Sequence, residues 1–411
     1  MHTPLPEARW QVIVIDLAVF ASTFVVAGVL ALVYSVMAGR TLSAAQFGLF
    51  NALFGVITIA SHLAASIQLA ATNVAVRHAH RSGLRQLLIS TRRMTLPGIV
   101  LVTVVAMPLA GSFGASALEV GLCGLTIYLL FISSAALGFV TGVVGVRAQA
   151  RLILVGAVTR VAAGWPLMLI GFGVIGAVFG FLLNYVLVLL LSLRVGVSAA
   201  AGSEPEGSRV PPLKLDAASV SAFVLTFAPL GLDQVLVQLF ATEHGGSYAA
   251  IATTSKLVFF CTYPIMAVAY PHLLRELDTP RRVRLLAAAA ATVALVALSV
   301  TAVLAMFPDK SLQLFFGDRF SGGAPYVARL AASATCLSLS AVATQALIAW
   351  GARHAYIPSL VAIVSGMALF ATRHSSLGVL AENQLWLCAI QLALIVPVVG
   401  VVISRSLRRT S

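Results

Sequence analysis

Charged side chains are scarce in this sequence: only 9% of its 411 residues are Asp, Glu, Lys or Arg. A soluble globular domain typically carries about 25%. Hydrophobic residues make up 60% of the chain, and its mean hydropathy is +1.01. This composition excludes a soluble domain and predicts a polytopic membrane protein.

Cysteines are also few, and none belongs to a recognisable site. The chain has four, each alone within an apolar stretch, without a CxxC pair or a histidine at ligand spacing: Cys123, Cys261, Cys336 and Cys388. They predict neither a disulfide nor a metal site, and no cofactor is expected. A cleavable signal peptide is not predicted either, because the first apolar run, 12–38, exceeds the usual core of about 7 to 15 residues.

Only one long polar segment interrupts the apolar sequence, RVGVSAAAGSEPEGSRVPPLKLD at 194–216. Its three prolines and its charged residues are typical of a solvated tether between two packed units. We therefore predict an N-terminal bundle at 1–193, a linker at 194–216 and a C-terminal bundle at 217–411.

Apolar stretches of about 20 residues are long enough to cross a bilayer as helices. Twelve such spans are predicted, six in each half: 12–38, 46–76, 94–112, 119–146, 152–171, 174–193, 217–240, 248–270, 285–307, 326–350, 357–372 and 379–404. The predicted fold is all-α, with two six-helix bundles.

The basic residues predict the orientation of the spans. With a cytoplasmic N-terminus, 19 of the 26 Lys and Arg residues fall in cytoplasmic segments, as the positive-inside rule requires. We expect a multi-pass plasma-membrane protein whose termini and linker are cytoplasmic. The net charge of +13 lies in short loops, so it indicates topology and not a nucleic-acid partner.

The two halves resemble each other weakly. QFGLFNALFGVITIA at 46–60 and HGGSYAAIATTSKLV at 244–258 share a Gly-x-aromatic-x-Ala core, and GVRAQARLILV at 145–155 and GARHAYIPSLV at 351–361 share Gly-x-Arg. Because each half has an even number of spans, both copies run the same way through the membrane. This arrangement predicts a pseudo-two-fold axis along the membrane normal and a central cavity between the bundles.

Several longer stretches are similar to one family of transporters. They are RTLSAAQFGLFNAL, the run beginning GVRAQARLILVGAVTRVAAGWP, the run LGLDQVLVQLFATEHGGSYAAIATTSKLVFFCTYP, and LFFGDRFSGGAPYVARLAASA. In order and spacing they resemble the polysaccharide-transporter branch of the multidrug/oligosaccharidyl-lipid/polysaccharide exporter superfamily.

The resemblance implies two six-helix bundles around a cavity that opens alternately to either side. It also implies a lipid-linked glycan as the substrate, with membrane lipids and, as a further candidate, glycan-synthesis enzymes as partners of a monomer. The chain lacks the extra helix pair of the fourteen-helix peptidoglycan-precursor flippases and the arginine in their first helix, which argues against a peptidoglycan precursor.

Charges at membrane depth mark the candidate substrate-binding residues, because an isolated charge there is costly. Asp233 and Lys256 are both about 10 to 12 Å from the outer ends of the seventh and eighth spans. They are either a structural ion pair or a phosphate-binding cation with a tuning carboxylate. Arg160, in the fifth span, either lines the cavity and binds a pyrophosphate or caps carbonyls near Pro166.

Further candidates have equally strong structural alternatives. Arg329 could contact substrate or extend to the headgroups. The amides of Asn184, Gln234 and Gln238 could bind sugar hydroxyls or hold helices together.

Two more polar residues in the spans are interpreted structurally. His62 is interpreted as a packed histidine, and Asp16 as a residue anchored near the surface.

Three other functions compete with a flippase. A major-facilitator-type transporter would also have six plus six helices, but RHAHRSGLRQLLISTRR lacks its Gly-x-x-x-Asp-Arg-type signature. A drug/cation antiporter would need buried carboxylates, whereas these spans hold more positive than negative charge. A glycosyltransferase would need a carboxylate base near the first external loop, and GRTLSAAQF has none. The chain is therefore predicted not to be an enzyme.

Overall fold

The computed structural model describes residues 7–200, 213, 215–275 and 278–410, and the described chain is helical, with short turns. The first half forms six long helices: α1 Glu7–Thr41, α2 Ala44–Arg77, α3 Arg81–Leu109, α4 Ala117–Val143, α5 Val146–Leu167 and α6 Gly173–Ala199. Ser43 with Gln46, and Ser116 with Glu119, form the capping boxes that begin α2 and α4, as their spacing allows.

The second half has eight helices. They are α7 Ala217–Phe227, α8 Pro229–Phe240, α9 Gly245–Arg275, α10 Thr279–Met306, α11 Pro308–Phe316, α12 Ala324–Ala349, α13 Ile357–Thr372 and α14 Leu377–Thr410. The short α11 is followed by 3₁₀ turns at Gly317–Gly323. Leu312, Phe316 and Phe320 are buried residues of this segment.

The described helices correspond to twelve membrane spans. Eight described helices are long and apolar enough to cross a membrane, or nine when the bent pair α7 and α8 counts as one span. One of the eight, 146–199, contains two spans, α5 and α6, joined by a π-helical turn in which Gly171 has φ 99°. Two shorter apolar helices, Val25–Thr41 and Ile357–Thr372, complete the set.

The helices form two bundles, the first lobe (α1–α6) and the second lobe (α7–α14), with matching internal packing. In the first lobe α2 packs on α4, α3 on α4, α4 on α6 and α5 on α6. In the second lobe α9 packs on α12, α10 on α12, α12 on α14 and α13 on α14. The same helix pairs meet in each half, as the predicted pseudo-two-fold requires.

The seventh span departs from the prediction of one continuous helix. It breaks at Ala228, between Phe227 and Pro229, and α7 and α8 meet at 58°. Proline lacks an N–H and clashes with the preceding turn, so carbonyls near the break lose their helical partners. Glutamines of α14 donate to a carbonyl on each side of the break: Gln391 Nε2 to Thr226 O at 3.1 Å and Gln384 Nε2 to Pro229 O at 3.0 Å.

The third span also begins earlier than the expected position 94. Helix α3 starts at Arg81, after the N-cap His80, so the basic segment predicted as a loop is mostly helix. Arginines on the terminal turns of a membrane helix can reach the headgroups, and apolarity alone therefore underestimates the length of the helix.

Most of the linker lies outside the described residues. After residue 200, the structure describes Leu213 and then the chain from Leu215 onward. Helix α6 continues to Ala199, six residues beyond the predicted end of the first bundle, and α7 begins at Ala217 as predicted.

Candidate functional site

A cavity of about 650 Å³ lies between the two lobes. Its walls come from α1, α2, α4, α5 and α6 of the first lobe and from α8 and α9 of the second. The lining is mainly apolar, and the charged residues in the described part of the lining are Arg160 and Lys256. The structure therefore contains the central cavity that the sequence predicted.

One end of the cavity is closed where the lobes touch. We call the end of the molecule with the α1–α2 and α8–α9 turns the outer end. We call the contact between the lobes at this end the lobe seam. The first lobe contributes Gly48, Asn51 and Gly55 of α2, and the second lobe contributes Gly231, Gln234 and Gln238 of α8 with Gly245 and Gly246 of α9. The cavity begins at Phe54 and Ile57 of α2, just inside the seam.

Glycines allow the close approach at the seam. A Cβ atom added at Gly55 would collide with the Gly231 carbonyl oxygen, and one added at Gly231 would collide with Gly55. A Cβ atom at Gly48 would lie 2.9 Å from Gly246 N. Small residues bring helix backbones together in membranes in this way. Gly48 and Gly246 are the matching glycines of the sequence repeat, and they meet near the pseudo-two-fold.

Arg160 lies on α5 and faces the cavity. The Cζ atom of its guanidinium is 4.8 Å from the centre of the Phe181 ring and 5.6 Å from that of Tyr34. Its Nε is buried without a hydrogen-bond partner among the described residues. Tyr34 keeps its own hydroxyl bonded to Ala177 O at 2.6 Å. The guanidinium thus lies against aromatic faces in the cavity wall, and its Nε–H has no acceptor in the described chain.

Asn184 lies on the neighbouring helix α6 and lines the same cavity. Its amide packs directly over Gly156 of α5, where a Cβ atom would collide with Asn184 Oδ1. The structure thus places Arg160 and Asn184 on adjacent walls of one cavity.

Lys256 of α9 lies between the cavity and the seam. With the Gln234 amide oriented so that both its ends have partners, Lys256 Nζ donates to Gln234 Oε1 at 2.9 Å. In that orientation Gln234 Nε2 donates to Asn51 O at 2.8 Å. The ammonium is also 5.7 Å from the centre of the Phe54 ring. Gln234 therefore joins Lys256 to a backbone carbonyl of the other lobe.

Asp233 lies outside the main cavity, in a space of about 20 Å³ that Lys256 and Gln384 also line. Tyr248 donates to Asp233 Oδ2 at 3.1 Å, while Oδ1 is buried without a partner among the described residues. No nitrogen of Lys256 comes within 4.0 Å of the carboxylate. The two charges interact electrostatically, but they do not form the direct ion pair that one sequence interpretation required.

Two candidates lie away from the cavity. Gln238 Nε2 donates to Phe113 O of the first lobe at 2.8 Å, so this amide holds helices together. Arg329, near the start of α12, donates to Gly378 O at 3.5 Å and lies over the Tyr326 ring. Neither residue lines the cavity.

The cavity also includes residues that the sequence analysis placed elsewhere or missed. His62 lines it, with its ring stacked on Phe227 at 4.8 Å between centroids, so it is a packed histidine that also faces the cavity. Ser61 and Tyr185 line it too, and only their positions in the middle of spans signalled them. The side chain of Asp16 lies outside the described residues.

The fold is shared with solved transporter structures. No protein-family model matches the chain, and no curated protein matches it in sequence. A structure of the lipid II flippase MurJ in an inward closed conformation matches with a TM-score of 0.70 and 13% identity, over 93% of this chain and 87% of that chain.

Multidrug transporter structures match over a similar length. A Vibrio cholerae MATE transporter, VcmN, has a TM-score of 0.65 and 13% identity, over 96% of this chain and 97% of that chain. The MATE multidrug transporter DinF-BH has a TM-score of 0.63 and 16% identity, over 95% of both chains. At these identities the likeness shows the twelve-helix, two-lobe fold.

Proposed function

We propose that this protein moves a lipid-linked oligosaccharide or polysaccharide precursor across the bacterial plasma membrane by alternating access. The observation that carries the proposal is the charge of the cavity. Its charged lining residues in the described part of the chain are the cations Arg160 and Lys256, and Asp233 is set apart in its own small space. This distribution favours an anionic substrate.

A lipid pyrophosphate has the chemistry that such a cavity suits. Its phosphates must cross a region of low dielectric constant, where losing hydration is costly. A guanidinium replaces part of that hydration with two parallel charge-assisted hydrogen bonds. A cation about 4 Å away is worth about 4 kcal/mol at an effective dielectric constant of 20. The amide of Asn184 could bind a sugar hydroxyl in the same site.

The cavity volume supports a headgroup as the part of the substrate that enters. A space of about 650 Å³ is within the range of about 300 to 1,000 Å³ usual for small-molecule sites. It accommodates a pyrophosphate with a small number of sugars, while the lipid chain stays in the bilayer. A longer glycan would require the lobes to move further apart.

A drug/cation antiporter is the second candidate, because MATE multidrug transporters share the fold. A cationic substrate would face Arg160 and Lys256 across an apolar cavity, which is unfavourable without a carboxylate in the lining. The same fold comparison argues against the major-facilitator alternative. Monomeric state, glycan-synthesis partners and cytoplasmic termini stay predictions from the sequence.

Purified protein in lipid vesicles tests the proposal. We expect it to translocate a fluorescent lipid-pyrophosphate oligosaccharide, with competition by unlabelled polyprenyl pyrophosphate. Protein-free vesicles and vesicles with heat-denatured protein are the controls. Uptake of a fluorescent organic cation, without any movement of the pyrophosphate lipid, would instead favour the antiporter.

A further inference from the structure

Among the described residues, only Lys256 both lines the cavity and donates a hydrogen bond to a side chain that bonds across the lobe seam. It lines the cavity, and its ammonium donates to Gln234, whose amide in turn donates to Asn51 O in the other lobe. We infer that Lys256 couples an anion in the cavity to the opening of the seam, an inference that rests on the proposed function.

The position of Gln234 in the seam supports this coupling. Asn51 lies between Gly48 and Gly55 on one face of α2, and Gln234 lies between Gly231 and Gln238 on one face of α8. Gly55 faces Gly231 and Gly48 faces Gln238, so the Gln234–Asn51 bond is in the middle of the seam. Asn51 and Gln234 are 0% and 3% exposed, so water cannot readily replace a lost bond.

Lys256 stabilises this bond by fixing the Gln234 amide. An amide that accepts from an ammonium at its oxygen must point its nitrogen the other way, here toward Asn51 O. Without the ammonium the amide can rotate, and the carbonyl of Asn51 then loses its hydrogen bond from the other lobe. A single hydrogen bond in this environment is worth on the order of a threefold to tenfold population shift.

A phosphate in the cavity would be a better acceptor for the ammonium than an amide oxygen. It carries full negative charge, so it adds the attraction between two opposite charges to the hydrogen bond. When Lys256 turns to the phosphate, Gln234 is released and the seam loosens, so that substrate binding favours opening of the outer end.

Distances across the outer end test the coupling. Spin labels at Leu118→Cys and Ser375→Cys, both exposed positions on opposite lobes, are introduced after the four native cysteines are replaced. Double electron–electron resonance then measures the distance distribution with and without polyprenyl pyrophosphate. We expect the lipid to increase the longer-distance population of the otherwise unchanged protein.

Two variants test separately the role of the Lys256 ammonium and the role of the Gln234 amide. Lys256→Met should raise the longer-distance population roughly threefold to tenfold without ligand, and ligand should add little. Gln234→Met should show the same raised baseline and still bind the lipid, but its distances should no longer respond. Gln238→Met is the matched control, since Gln238 also bonds across the lobes but contacts Phe113 and not Lys256. Its ligand response should be retained.

These measurements distinguish a failure of the coupling from a failure of the proposed function. If Lys256→Met without ligand has the same distance distribution as the parent, or Gln234→Met responds to the lipid as the parent does, the coupling is wrong. If the pyrophosphate lipid does not bind the parent at all, the proposed function fails, and the ligand-free comparison of Lys256→Met still decides whether Lys256 holds the seam.

Discussion

Arg160→Ala tests the proposed anion site most directly. The guanidinium contacts the Tyr34 and Phe181 rings and has no hydrogen bond to the described protein. Its removal therefore orphans no acceptor. The lost cation–π contacts are worth about 0.5 to 2 kcal/mol each, so we expect the variant to fold and insert, with a modest loss of thermal stability.

The loss of function should be much larger than the loss of stability. A hydrogen bond to a charged group contributes about 1.5 to 3 kcal/mol, which is roughly a tenfold to 150-fold loss of affinity for the pyrophosphate lipid. Arg160→Lys keeps the charge but loses the two-pronged geometry, so we expect intermediate activity.

The assay measures how fast each variant flips a fluorescent lipid-pyrophosphate oligosaccharide in vesicles, with the rate expressed per folded molecule. Arg329→Ala is the matched control, because Arg329 is an arginine in the second lobe that does not line the cavity. Full activity of Arg160→Ala per folded molecule would refute the reasoning. A large loss of folded protein with normal activity of the remainder would show that Arg160 has only a structural role.

Three further predictions follow from the topology, the buried charges and the seam. A cysteine at Ser203, in the linker, should react with an impermeant thiol reagent only when the cytoplasmic face is accessible; labelling from outside intact cells would reverse the topology. Asp233→Asn and Lys256→Met should each lower the amount of folded protein in membranes more than the double variant does, since a lone buried charge is the costly species; a double variant that is depleted as much as the single variants would contradict this. Gly55→Val should force the lobes apart at Gly231 and lengthen the distances across the outer end; an unchanged distribution would show that the seam is not close-packed in the membrane.

The internal repeat pairs glycines whose structural role is visible only in the backbone geometry. Gly145 and Gly351 were matched by pattern alone, and both adopt positive φ, 111° and 71°, at the turns before the fifth spans of the two lobes. Gly48 and Gly246 were matched in the same way, and both lie where a Cβ atom would separate the lobes. A glycine required by backbone geometry recurs at equivalent positions when the geometry is repeated.

The residues around the cavity were less predictable. Arg160 and Lys256 could be identified because a charge in a span is conspicuous, but the facing directions of Gln234 and Gln238 could not. Amphipathic periodicity indicates the buried face of a helix in water. A helix that is apolar on all sides gives no such signal, because lipid, a neighbouring helix and this cavity all accept the same apolar side chains.

Composition and the spacing of apolar runs were sufficient to predict a helical, twelve-span, two-bundle membrane protein, because hydrocarbon requires every backbone polar group to be bonded within helices of a definite length. Only the tertiary structure showed that Pro229 breaks the seventh span at 58°, that Asp233 is separated from the cavity, and that Gln234 joins Lys256 to the opposite lobe. These features depend on distances of a few ångströms between residues far apart in the chain. Local pattern cannot specify such distances, and the packing of one lobe against the other does.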